Sequence, residues 1–194
     1  LLGWHGSDNK EIYSMTELID CFAINRIKSS GAIFDVKKLL WFNQQYIKTC
    51  DNSSLKILID KLLTQKWEAS LSMINLLKNS VENLNDFEKE LEPFFVFSPI
   101  KIDLDNKLFS KEIYYFLNEL SDHFIKMTEI TVDDFKLIIN NIKSEHNVSG
   151  NIWKPIRIAI TGKEHGPDIS QFITILGPTE CSERLKQFIH FNGY

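Results

Sequence analysis

At 194 residues the chain can bury a sizeable core, as one domain or two small ones, and its 43% hydrophobic and 25% charged residues are those of an ordinary soluble protein. No apolar run approaches the roughly 20 residues that span a bilayer, which excludes a membrane-spanning helix. A formal net charge of −4 excludes indiscriminate affinity for nucleic acid, so an RNA-binding role requires basic residues gathered on one face.

Leu1-Leu-Gly-Trp4 opens without Met and reads as mid-protein sequence, so part of a longer chain is expected. Ser14 three residues before Glu17 is a capping-box pattern, and Leu18, Ile19 and Phe22 follow at helical spacing, predicting a short helix over 15–23. Ser29-Ser-Gly31 marks a turn. Asp35 suits the N-cap of a second helix with Leu39, Leu40, Phe42, Tyr46 and Ile47 on its apolar side. Lys37, Lys38 and Lys48 fall among its polar positions, where a solvated face is the plain reading. Asp51-Asn-Ser-Ser54 breaks and caps, and Leu55, Leu58, Ile59, Leu62 and Leu63 predict a third helix. Leu71, Ile74, Leu77, Val81 and Leu84 predict a fourth.

The acidic run from Asp86 ends at Pro93, and Phe94-Phe-Val-Phe97 reads as an extended aromatic segment before Ser98-Pro99. Such a segment plugs a core between helical layers more readily than it stacks on bases. A boundary between helical units is expected near residue 100. Beyond it, Ile113, Phe116, Leu117, Leu120, Phe124 and Met127 line a long helix. Thr131 and Asp134 form a second capping box ahead of Phe135, Ile138, Ile139 and Ile142, and Ser149-Gly150 closes that unit. Gly177 and Pro178 separate the last two helices, the final one turning Leu185, Phe188 and Ile189 inward.

The stretch Trp153–Asp168 carries the densest constraints. Pro155 biases Lys154 away from helix, so an extended entry is expected, with Arg157-Ile-Ala-Ile as a short apolar run and Trp153 as a core anchor. The loop after Thr161-Gly162 holds Lys163, Glu164, His165 and Gly166, and Pro167 suits the first turn of the next helix. A rigid corner with an Arg, a Lys and a helix N-terminus can receive a phosphate or a base edge.

Catalytic chemistry is hard to find. The five histidines are scattered without metal-ligand spacing, no Gly-rich loop follows a strand, and Cys21, Cys50 and Cys181 lack paired spacing. They read as reduced thiols of a cytoplasmic protein.

Two blocks stand in a recognisable order. One is Leu1-Leu-Gly-Trp4, Glu11-Ile-Tyr-Ser14 and the run Ile33–Ile47; the other is Pro155-Ile-Arg-Ile-Ala-Ile-Thr-Gly162, a short loop, Gly166-Pro167 and a helix ending at Leu176-Gly177. Together they resemble the C-terminal stem-contact and anticodon-binding region of bacterial glutamyl-tRNA synthetases. The resemblance implies an all-α fold: a tRNA stem-contact segment over 1–48, then two packed helical subdomains of the helical-cage type over 49–100 and 101–194. It also implies a parent enzyme that activates glutamate with ATP and Mg²⁺ and esterifies it to tRNA. Its catalytic signatures are missing here, so this stretch would use no cofactor itself, be inactive alone and act as a monomer on glutamate tRNA.

Residue by residue, the resemblance makes Arg157 the first candidate for reading the anticodon. A guanidinium can stack on an unpaired base and bond its edge. It puts Gly166, Pro167 and Ile169 against the first two anticodon bases, with Lys154, Lys163 and His165 as neighbours. Lys37, Lys38, Asn43, Tyr46 and Lys48 would contact the tRNA stem. Many family members that charge only glutamate tRNA carry an Arg where this chain has Ser80, near Lys78, and Ser80 cannot contact a base bidentately. A non-discriminating enzyme that also accepts glutamine tRNA is therefore expected. The competing reading is a helical protein-interaction module without an RNA role.

Overall fold

The computed structural model describes residues 3–6, 10–28, 31, 33–103, 106–146 and 150–194. Among them it has ten α-helices and no strand, as the all-α expectation requires. In chain order these are α1 Met15–Cys21, α2 Val36–Thr49, α3 Asn52–Leu62, α4 Leu71–Leu77, α5 Asp86–Phe95, α6 Lys111–Phe124, α7 Val132–His146, α8 Trp153–Thr161, α9 Ile169–Leu176 and α10 Pro178–Phe191. A single 3₁₀ turn, Ile24–Arg26, follows α1. The turn expected at Ser29-Ser-Gly31 and the stop at Ser149-Gly150 lie partly outside the described residues.

Local polar bonds start most helices where the sequence says they should. Ser14 and Glu17 bond each other's backbone N–H in a full capping box. Asp35 and Asp51 accept from the N–H groups of Lys38 and Ser54. Thr131 and Asp134 cap α7 reciprocally. Each bond removes one of the four N–H groups that a helix start leaves without a partner.

Four expectations give way to packing. The entry at 153 is helical, not extended: Pro155 is the third residue of α8, where a missing N–H costs nothing because no intrahelical acceptor exists for it. The preference of Lys154 against helix is outweighed by burial of Pro155, Ile156, Ile158, Ala159 and Ile160. Phe94 and Phe95 belong to the last turn of α5, and only Val96 onwards is extended. The helix from Leu71 stops at Leu77, where the Ser80 hydroxyl donates to the Leu77 carbonyl; Val81 is buried from the turn that follows. Pro167 stays outside α9, whose N-cap is Asp168. Smaller differences are the end of α1 at Cys21 and of α6 at Phe124, ahead of Met127.

One cluster of buried side chains runs from Ile47 to Ile189, with Phe87, Phe116, Phe124, Phe135, Phe172 and Phe188 at its centre. In it α6 packs on α10 and α7, α8 and α9 pack on α10, and α4 rests on α3, α5 and α9. The Phe94 and Phe172 rings stack at 4.1 Å, joining α5 to α9. The connector after α5 is pinned as well, since Asn192 bonds the backbone of both Ile100 and Ile102.

Candidate nucleic-acid interface

The corner between α8 and α9 is built from the last turn of one helix and the cap of the next. Gly162 ends α8 in the left-handed region at φ 69°, and Asp168 opens α9 by accepting from Gln171 N at 2.9 Å. Between them Glu164, His165 and Gly166 are exposed. Arg157, on the face of α8 beneath this loop, is half-buried; its Nη1 would lie 3.2 Å from a Cβ built on Gly166. A side chain there would press on the guanidinium, so glycine lets the loop lie close over it. Burial pulls the Arg157 pKa down from its ordinary value and the Asp168 carboxylate works against that, leaving a cation under a thin backbone cover.

The neighbouring lysines are engaged. Lys154 pairs with Glu164 at 2.7 Å, and this bond holds the Glu164 carboxyl below its ordinary value. Lys163 turns away from the loop onto α5, reaching Glu92 at 3.0 Å and the Lys89 carbonyl at 3.1 Å. His165 and Gly166 remain outward, whereas Ile169 faces the core at 4% exposure. Trp153 rests its ring against the edge of Phe135 and is 40% exposed, so it lies over the core rather than inside it.

On the α4 side Ser80 is exposed. Lys78 Nζ donates to Asn52 Oδ1 at 2.9 Å, and Asn52 Nδ2 donates to Asn75, so Lys78 ties α4 to the start of α3. Along α2, Lys37 and Lys48 are eleven residues apart and share a face, with Gln44 bonding Lys48 between them. Lys38 and Tyr46 point elsewhere, to Glu11 and to the Tyr13 carbonyl, and Asn43 lines the same hollow as Tyr46, one turn before it. The basic stem candidates thus form one short stripe and not a five-residue face.

The Anticodon binding domain family matches residues 35–189. The chain belongs to that family. It is similar to the glutamate–tRNA ligase of Mycoplasma genitalium, 31% identical with 98% of this chain and 41% of that protein covered. The glutamate–tRNA ligase of Sulfurihydrogenibium sp. is 32% identical, with 100% and 42% covered. A crystal structure of a glutamate tRNA ligase from Elizabethkingia meningosepticum superposes with a TM-score of 0.86 at 29% identity, covering 98% of this chain and 39% of that one. The chain therefore spans about two fifths of the length of these relatives.

Within this anticodon-binding domain two features escape a reading of the sequence. Asn52, Asn75, Gln171 and Thr174 share a groove of about 380 Å³ between α3, α4 and α9, although they are far apart in the chain. Arg184 is buried on α10, beside the inward residues Cys181, Leu185 and Phe188; its place four residues after Glu180 on that face was the available signal. Burial pushes the Cys181 thiol well up, which leaves it a core residue and not a nucleophile. Among the described residues no group of His, Cys, Asp and Glu is arranged to hold a metal, and no helix is long and apolar enough to cross a membrane.

Proposed function

We propose that this chain is the tRNA-recognition part of a glutamate–tRNA ligase, in which α2 meets the tRNA stem and the corner around Arg157 reads the anticodon. Residues 1–48 form the stem-contact segment, 49–100 the first helical unit and 101–194 the second. The observation that carries the reading is the half-buried Arg157 beneath a loop with no side chain at Gly166, inside a family match spanning both helical units. Unpaired anticodon bases offer flat faces and open edges, and a guanidinium serves both. Attachment of glutamate with ATP and Mg²⁺ belongs to the rest of the parent enzyme, and no step of it is derived from these residues. The chain alone is then inactive, and the parent works as a cytoplasmic monomer.

Ser80 supports a further step. A short hydroxyl already bonded to Leu77 cannot bond a base bidentately or reject one by charge, so the enzyme accepts glutamine tRNA as well as glutamate tRNA. The test is binding of the chain to both tRNAs at two salt concentrations, with Arg157→Ala alongside. Each phosphate contact on duplex regions adds about 0.9 to the log–log salt slope. Similar affinity for both tRNAs, weakened by the substitution, is expected. Binding to glutamate tRNA alone would remove the Ser80 argument and keep the rest.

The protein-docking alternative has its best support in the exposed apolar side chains of the N-terminal segment, such as Met15, Ile19, Ile24 and Ile33. It predicts no salt-dependent RNA binding in the same series.

A further inference from the structure

Arg184 is the only charged side chain that is buried among the described residues. Its Nη1 donates to the Pro93 carbonyl at 2.5 Å and the Ile160 carbonyl at 3.2 Å, and its Nη2 to the Phe94 carbonyl at 3.3 Å. Nε bonds Glu180 at 2.6 Å, and the guanidinium lies 5.2 Å from the centre of the Phe97 ring. The three carbonyls come from the C-terminal turns of α5 and α8, where helix dipoles favour a cation. One side chain therefore holds two helix ends together, one from each side of residue 100.

Two other contacts brace the same joint. Pro93 has no N–H, so the Lys89 carbonyl four residues earlier lacks its helical donor, and Lys163 supplies one from the loop. At Gly162 the Ser98 carbonyl would come within 2.9 Å of an added Cβ, so connector and α8 end meet backbone to backbone. An apolar residue in its place would fill the space but leave the three carbonyls without these donors. A fork bonded to three carbonyls instead sets distances and angles.

We propose that Arg184 is a positioning residue for anticodon reading: it fixes the end of α8 against α5, so that Arg157 and the 162–168 loop stand at a set place relative to Ser80. The proposal rests on the anticodon reading above. It predicts that a loosened joint costs recognition of the anticodon and leaves contact with the rest of the tRNA intact.

The experiment measures binding of the chain to glutamate tRNA and to the same tRNA with its anticodon bases replaced. The ratio of the two isolates the anticodon contribution. Arg184→Lys keeps a cation but loses the planar fork. In a folded variant, verified by cooperative melting and unchanged helix content, the ratio is expected to fall about tenfold, within what one lost base contact costs. Affinity for the anticodon-replaced tRNA should stay as in wild type. In an Arg157→Ala background the same substitution should change the ratio by less than about twofold, because Arg184 acts through Arg157 and its loop. Gly162→Ala loosens the joint from the connector side and should give the same pair of results; it carries the test if Arg184→Lys fails to fold. A folded variant with the wild-type ratio, or an equal loss with and without Arg157, would overturn the positioning role. A wild-type ratio of one would overturn the anticodon reading itself, and this role with it.

Discussion

The segment up to about residue 50 and the helical body after it are held by different forces. In the first, α1 buries no residue and α2 only Ile47, and order comes from caps and exposed ion pairs such as those of Lys10 with Glu17 and Lys38 with Glu11. Apolar residues there line an open groove of about 590 Å³ between residues 4–6 and 10–13 on one side and α2 on the other. In the body, six phenylalanines are fully buried and one buried Arg ties helix ends together. Core packing can fix a reading site to within a fraction of an ångström, whereas exposed ion pairs contribute little each and fix a helix only loosely. On the function proposed above, precise base reading would fall to the body and backbone contact with a tRNA stem to the first segment.

Substitutions should separate the two regions by magnitude. Phe172→Ala removes the ring stacked on Phe94 and should cost about 3–5 kcal/mol in urea unfolding, while Ile19→Ala in the first segment should stay within about 0.5 kcal/mol. Equal effects would mean that the two regions share one core. Gly162→Ala should cost about 1–3 kcal/mol, because the left-handed φ and the Ser98 carbonyl both oppose a side chain. Asp168→Ala should cost about 1 kcal/mol through the lost cap of α9, read from the shift in melting temperature.

The smallest effect is a pH effect in the first segment. The Lys10 and Ser14 bonds pull the Glu17 carboxyl down to about 2 from its ordinary 4.5. A depressed carboxyl contributes stability that is complete above its unfolded value and fades as pH falls through the folded one. Amide protection in α1, taken relative to the intrinsic exchange rate at each pH, should therefore hold down to pH 4.5 and fall between 4.5 and about 2, ahead of the body. Protection already lost near neutral pH would show that the capping box does not hold α1.

Much of this was legible from the residues. Asp35, Asp51 and the Thr131–Asp134 pair announced their helices because capping is local chemistry, and inward positions on α6, α7 and α10 followed helical spacing. What local chemistry could not announce was tertiary. Ile156–Ile160 reads as an apolar run because a helix buried nearly all round has no polar stripe, and a proline in its first turn resembles a break. Lys163 looked free for RNA, but its partners are the Glu92 carboxylate and the Lys89 carbonyl left over by Pro93, 71 and 74 residues away in sequence. Arg184 carried no local sign of the three carbonyls it serves.

The most direct test of the central claim is binding of the chain to an isolated anticodon stem–loop RNA, without acceptor or other stems. If the corner around Arg157 reads the anticodon, the stem–loop binds, competes with whole glutamate tRNA and loses affinity on Arg157→Ala. If whole tRNA binds while the stem–loop does not, the contact is with the stem alone and the anticodon reading is contradicted.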